Sequence, residues 1–238
     1  MRLAWLGAGD PLPDPSNALS DPPGLLAAGL DLSPRRLREA YGRGIFPWYS
    51  VGQPVLWWSP DPRMVLFPRE FRCSRSLRQT LRRALERAQW QLTLDRAFER
   101  VMRACAEPRA DQDGTWITEE IVQAYVGLHR SGLAHSVEVW GANQQLLAGL
   151  YGVALGRVFF GESMFTRVRD GSKAALAVLI DQLRAWEFAL IDCQQETQHL
   201  ASLGARPIPR DQFLHILSQA TPLPAPDWAS TVLNPILS

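Results

Sequence analysis

Two carboxylates stand in apolar runs of this 238-residue chain. In Phe188-Ala189-Leu190-Ile191-Asp192-Cys193-Gln194 an acid near the end of an apolar strand is followed two residues later by an amide. Side chains alternate across a strand, so the spacing predicts Asp192 and Gln194 on one face and Ile191 and Cys193 on the other. The competing role for Asp192 is to cap a following turn. In Val158-Phe159-Phe160-Gly161-Glu162-Ser163-Met164-Phe165 the acid Glu162 follows a glycine. Gly161 would let a substrate or another chain approach the backbone closely, while Glu162 could equally be an edge carboxylate or half of an internal ion pair. Two acids on strands, each beside apolar side chains, fit a pocket with a few placed polar groups.

Other chemistry has weaker support. Cys193 with a distant histidine could form a nucleophile pair, but a strand cysteine is more often core. His129, His135, His199 and His215 show no metal-ligand spacing, and GxSxG, GxGxxG and P-loop motifs are absent from the sequence. Residues 69–109 hold eleven Arg against five acids, a local excess of six positive charges. This is either a solvated helix face or a phosphate-contacting patch, because Arg bonds phosphate oxygens bidentately. Trp48, Trp57 and Trp58 could stack on a base, though packing explains them as well.

The elements that must position these residues follow from periodicity and caps. Ser33-Pro34 predicts a helix start, with Gly42 and Gly44 as its stop. Residues 10–23, rich in Pro and Asp, read as an extended surface segment. Prolines at 47, 54, 60 and 62 argue against regular central strands between Ile45 and Arg63. From Ser76 to Ala88, Leu77, Leu81, Ala84, Leu85 and Ala88 form one helix face, and Arg75, Arg78, Arg82, Arg83 and Arg87 take the others. Helices are expected over Asp95–Ala106, over Glu119–Arg130 behind Thr118, over Ser172–Glu187 with Ser172 as cap, and over Pro209–Gln219. Ser136–Trp140, Leu146–Ala154 and Val158–Phe165 read as an antiparallel meander. The third of these strands, the next helix and Phe188–Gln194 could form a βαβ crossover. This order is α+β and matches an acyl-CoA N-acetyltransferase core. The tail with Pro222, Pro224, Pro226 and Pro235 should be extended.

Composition bounds the class. Hydrophobic residues make up 46% and charged residues 21%, with a net charge of +1, an ordinary globular balance. Lys173 is the sole lysine beside 24 Arg, which we attribute to GC-rich codon usage. Three widely spaced cysteines, Cys73, Cys105 and Cys193, give no disulfide framework and fit a reducing cytosol. The N-terminal apolar run is too short for a signal peptide, and no stretch reaches the ~20 apolar residues of a membrane span. A soluble cytoplasmic protein without a membrane partner is expected. A domain boundary falls near residues 60–66, dividing the chain into 1–63 and 64–238.

Several strings occur together in a recognisable order: Gly24-Leu25-Leu26-Ala27-Ala28-Gly29, Gly42-Arg43-Gly44-Ile45-Phe46-Pro47-Trp48-Tyr49, and Trp57-Trp58-Ser59-Pro60-Asp61-Pro62-Arg63. Then come Gly114-Thr115-Trp116-Ile117-Thr118, Gly161-Glu162-Ser163-Met164-Phe165, Ile191-Asp192-Cys193-Gln194 and His199-Leu200-Ala201-Ser202-Leu203-Gly204-Ala205. Over roughly residues 20 to 215 the chain resembles the bacterial leucyl/phenylalanyl-tRNA–protein transferases. The resemblance implies a small N-terminal domain and an acetyltransferase-like C-terminal domain with a mixed, mainly antiparallel sheet. It implies transfer of Leu, Phe or Met from aminoacyl-tRNA to the α-amine of proteins beginning with Arg or Lys, which marks them for degradation, with no metal and no organic cofactor.

By the same resemblance Asp192 acts through Gln194 on the acceptor amine, or only orients it, and Glu162 positions substrate. Leu150, Phe159, Met164, Leu179, Leu183 and Ile191 would wall the amino-acid pocket, and Trp48 and Trp116 would bind the terminal adenosine and the pocket. Leu150 stands where relatives carry Met, and Leu179 and Leu183 where they carry Phe. The arginine face from Arg75 to Arg87 is the candidate for acceptor-stem phosphates. The rival readings are an acetyl-CoA N-acetyltransferase and a non-catalytic RNA-binding module. The first is weakened because Val168 and Lys173 fall where the pyrophosphate loop needs Gln or Arg and a small residue.

Overall fold

A computed structural model describes residues 3–108 and 115–233. Gly114, in one of the strings above, and Pro235 of the tail lie outside them. The chain begins with strand β1 (Ala4–Leu6), a 3-10 turn at Pro15–Asn17, and β2 (Leu25–Gly29), which pairs with β1 in parallel. Residues 10–23 are more than an extended surface segment. Leu12 is buried, and the carbonyls of Leu12 and Pro13 accept from the Arg43 guanidinium at 2.6 and 3.1 Å. Helix α1 (Pro34–Gly42) starts as its cap predicts, with the Ser33 hydroxyl accepting from the Arg36 N–H and Pro34 in the first turn.

Strands do form between the prolines. β3 (Phe46–Pro47) and β4 (Val55–Trp58) are followed by β5 (Arg63–Leu66). The first sheet has the order β1-β2-β4-β3, so β4 is a central strand, against expectation. Its neighbours Pro54 and Pro60 stand outside it, and Pro47 lies in an edge strand, so no ladder position in its middle loses a donor.

β5 belongs to a second sheet. Helix α2 (Arg75–Glu86) buries Leu77, Leu81 and Ala84, with Ser74 as its cap. β6 (Gln91–Leu94), absent from the sequence-based expectation, pairs with the later β7 and displaces the start of α3 (Phe98–Ala106). α3 turns Phe98, Val101, Met102 and Cys105 inward. α4 (Glu119–Arg130) is capped by the Thr118 hydroxyl, with Glu119 and Glu120 in its positive first turn. The meander is β7 (Ala134–Trp140), β8 (Leu146–Leu155) and β9 (Val158–Thr166), antiparallel throughout. All of β7 is buried, polar positions included, because α3, α4 and the later helix over residues 171–185 pack against it; Glu138 accepts from Ser136 Oγ at 2.5 Å and from Thr93.

Helix α5 (Gly171–Ala185) follows, then β10 (Leu190–Gln194), α6 (Gln198–Ser202), β11 (Arg206–Ile208) and α7 (Arg210–Ala220). Ser172 does not cap α5. The cap position is Asp170, in a left-handed conformation, with Lys173 Nζ 3.5 Å from its carboxylate. β9, α5 and β10 make the expected crossover, since β10 pairs with β9 in parallel. The second sheet runs β11-β5-β10-β9-β8-β7-β6. One face (Leu150, Ala154, Phe159) packs on Leu176, Leu179 and Leu183 of α5. The other (Tyr151, Val153, Phe160) packs on α3, α4 and the first sheet. The tail holds neither helix nor strand over its described residues, yet it buries Trp228, stacked 3.9 Å from His135. Among the described residues no helix is long and apolar enough to cross a membrane.

Candidate active site

Strands β9 and β10 pair from Leu190↔Val158 to Asp192↔Phe160, and there the pairing stops although both strands continue. Each strand carries an irregularity just past that point. On β9, Gly152 faces Gly161 and Tyr151 faces Ser163, which leaves Glu162 as the extra residue of a bulge. On β10, Asp192 faces Val65 and Gln194 faces Met64, which leaves Cys193 extra. A bulge re-aims the side chains that follow it. Where the strands part, a cavity of about 1200 Å³ opens, walled by Glu162, Met164, Ile191, Cys193 and Gln194 among others.

The bulge at Cys193 overturns the expected alternation. Asp192 and Gln194 do not share a face: Gln194 (φ +56°) turns into the cavity beside Ile191, and Asp192 points away into the protein. Asp192 is fully buried and holds Arg63 bidentately, with Oδ1 at 2.8 Å from Nε and Oδ2 at 2.6 Å from Nη2. Oδ1 also accepts the backbone N–H of Gln194 at 3.0 Å. The Arg63 guanidinium lies 4.7 Å from the ring centres of both Phe46 and Phe213, and its Nη1 donates to the Gly44 carbonyl at 3.2 Å. Gly44 needs to be glycine here: its φ is +71°, and a Cβ would lie 2.7 Å from Leu214.

Glu162 faces the cavity and is otherwise enclosed. Tyr41 Oη of α1 donates to Oε1 at 2.7 Å, Tyr125 Oη of α4 to Oε2 at 3.2 Å, and Gln194 Nε2 to Oε1 at 3.3 Å. The two tyrosine hydroxyls also touch each other; with one proton apiece they supply a hydrogen bond to only two of the three contacts Tyr41–Glu162, Tyr125–Glu162 and Tyr41–Tyr125 at any moment. Loss of solvent pushes the Glu162 carboxyl up to about 7, with the Asp192 charge acting the same way and the Tyr41, Tyr125 and Arg63 contacts opposing. Burial and the Glu162 charge carry the Tyr41, Tyr125 and Tyr151 hydroxyls well above the usual phenol range. The Cys193 thiol is raised as well, first by burial and then by Asp192, so it stays protonated and the nucleophile reading of Cys193 loses its basis.

Of the apolar residues expected at the pocket, Leu150, Phe159, Met164, Leu179 and Ile191 line the cavity, joined by Leu66, Leu176 and Leu200. Leu183 does not reach it and is buried under the sheet instead. Trp48 and Trp116 stand on the wall, Trp48 41% exposed and edge-on to Trp58. On α2, Arg75, Arg82 and Arg83 are exposed and Arg78 partly so, and exposed Arg87 stands at its C-terminal cap, all away from the cavity; none makes an ion pair with a described acid. Arg63, Tyr41, Tyr125 and Tyr151 are site residues that sequence reasoning does not single out. Their signal is the strings that contain Arg63 and flank Tyr41, but nothing in the sequence shows that these segments meet Glu162. The acyl-CoA alternative meets an obstacle at α5, where an acid, Asp170, occupies the helix N-terminus at which a pyrophosphate would bind.

Two family models cover most of the chain. "Leucyl/phenylalanyl-tRNA protein transferase N-terminal domain" matches residues 30–61, and "Leucyl/phenylalanyl-tRNA protein transferase" matches residues 65–218. A leucyl/phenylalanyl-tRNA–protein transferase of Cupriavidus necator is 60% identical over 227 residues, covering 94% of this chain and 90% of its own length. The enzyme so named from Ralstonia pickettii is 56% identical, with 94% and 91% covered. That of Bordetella petrii is 55% identical over 239 residues, with 98% and 94% covered. Only residues 62–64 separate the two matches, at the start of β5 where the sheets meet around Arg63, and the chain belongs to the leucyl/phenylalanyl-tRNA protein transferase family.

Proposed function

We propose that the protein transfers leucine, and also phenylalanine and methionine, from aminoacyl-tRNA to the α-amine of proteins that begin with Arg or Lys. The observation that carries this reading is the cavity at the parting of β9 and β10, which joins an apolar wall to a fixed polar pair, Glu162 and Gln194. Leu150, Phe159, Met164, Leu179 and Ile191 hold the esterified side chain. One methylene in such a hole is worth only ~1–3 kcal/mol, so mixed acceptance of Leu, Phe and Met follows. Trp48 and Trp116 take the terminal adenosine, and the arginine face of α2, which packs on α5, takes acceptor-stem phosphates.

Aminolysis of the ester requires amine and carbonyl to be held together and a proton to leave the amine. The geometry leaves Asp192 no contact with the acceptor amine, since it is buried away from the cavity with both oxygens held by Arg63 and the Gln194 N–H; it acts only through the placement of Gln194. In the same reading residues 1–63 form the smaller domain and residues 64–238 the catalytic one. Incubation with radiolabelled Leu-tRNA and an Arg-started peptide should place label on the peptide N-terminus. No transfer to that peptide, or equal transfer to one starting with Gly, would overturn the assignment.

A further inference from the structure

We propose that Glu162, rather than Asp192, accepts the proton of the attacking α-amine, with Tyr41 and Tyr125 holding its carboxylate and the Asp192–Arg63 pair fixing the strand that carries Gln194. The inference rests on the aminoacyl-transfer reading above and concerns the same site. Its basis is the placement of the acids. Asp192 is sealed behind the sheet, whereas Glu162 is the extra residue of a bulge that turns it into the cavity. Glu107, the other acid on the wall among the described residues, is exposed and paired with Arg167. Three donors from α1, α4 and β10 fix the Glu162 carboxylate without neutralising it by a bonded cation.

The step balances. The α-amine enters as its neutral form and attacks the ester carbonyl carbon. As the C–N bond forms, one N–H proton passes to the Glu162 carboxylate. As the C–O bond to the ribose breaks, that proton passes from Glu162 to the departing ribose oxygen. An amide and a free ribose hydroxyl leave, and Glu162 is again a carboxylate. A group that takes and returns a proton in one cycle works best when its pKa lies near the working pH, and the burial of Glu162 brings it there.

Tyr41 from α1 and Tyr125 from α4 bond Glu162, and the charges of Asp192 on β10 and Arg63 on β5 reach it from within the protein, as its own charge reaches Tyr151 on β8. The tyrosines remain protonated across the neutral range, so the titration there belongs to Glu162 and to the substrate amine, whose unperturbed pKa is about 7.7–8.0. His199 also lies on the cavity wall; burial, then Lys173, holds its pKa below the usual histidine value, so it too ionises on the acid side and its variant is needed to separate it.

The test is the pH dependence of kcat/KM for Leu-tRNA and an Arg-started peptide. The acid limb of the unaltered enzyme should approach a slope of about two, one ionisation from Glu162 and one from the amine. Glu162→Gln should lose roughly 100- to 10,000-fold in kcat, keep its affinity for Leu-tRNA, and show only the ionisation of the amine. In Glu162→Ala, added formate should restore part of the rate, an effect that a purely structural role does not produce. Asp192→Asn and His199→Gln should keep both ionisations. The inference is overturned if Glu162→Gln stays within about threefold of the unaltered rate or keeps both ionisations. It is equally overturned if either of the other variants removes one, or if formate has no effect. If the unaltered protein transfers nothing, the functional assignment fails first, and the two failures are thus distinguishable.

Discussion

Asp192 and Arg63 are each fully buried, and each supplies what the other needs. Removing one partner of such a pair leaves an uncompensated charge, which typically costs about 3–5 kcal/mol. Asp192→Ala should therefore lower the unfolding midpoint in urea by that equivalent, whereas replacing both residues with apolar ones should cost less. A loss of activity in Asp192→Ala with unchanged stability would contradict the structural role. Glu162 ties stability to pH. Its folded pKa of about 7 lies above the ordinary 4.5, so its contribution to stability is full below pH 4.5 and is lost as pH rises through 7. Relative to the unaltered protein, Glu162→Gln should become more stable between pH 4.5 and 8 by up to about 3 kcal/mol. Chemical denaturation at several pH values measures it, and a difference that does not vary with pH would refute it. At this scale the sequence exposed the two unusual acids, because a charge in an apolar run is visible without coordinates. Their partners were hidden: Tyr41 and Tyr125 reach Glu162 across 121 and 37 residues of chain, and Arg63 reaches Asp192 across 129.

Helices were the most legible elements, because a cap and a 3.6-residue period are local. Ser33, Ser74 and Thr118 each accept from an N–H in the first turn of the helix they open. Strands were legible in the meander and at β10, and obscure elsewhere. β4 and β5 hide among prolines that flank them, and β6 and β11 are too short for a period to emerge. The bulges could not be read at all, since an extra residue in a ladder is defined only by the opposite strand. Gly152, opposite the β9 bulge, has no room for a side chain: a Cβ would lie 2.2 Å from the Phe160 carbonyl oxygen. Gly152→Ala should thus deform the bulge and reduce transfer as well as thermal stability; wild-type behaviour in both assays would show that the ladder tolerates the shift. For α2, neutralising Arg82, Arg83 and Arg87 together should weaken tRNA binding and flatten its salt dependence, by up to ~0.9 in log–log slope for each phosphate that is no longer neutralised. An unchanged slope would remove that face from the proposed tRNA-binding surface.

The two sheets share one apolar core. Leu25, Ala27 and Trp57 of the first belong to the same buried cluster as Tyr125, Tyr151 and Phe160 around the second. Polar links cross the same junction, from Tyr41 to Glu162 and from Gly44 to Arg63. The molecule should therefore unfold in one transition, with near- and far-ultraviolet circular dichroism coinciding; separate midpoints would show that the smaller sheet melts alone. Arg63 gives this junction a chemical direction. Across most of the surface an arginine could revert to lysine with little harm, since a solvated charge asks only for a sign. Between two phenyl rings, with a carboxylate on one edge and a carbonyl on the other, only a flat cation with forked donors fits. In a protein with a single lysine, position 63 is one arginine that a lysine could not replace.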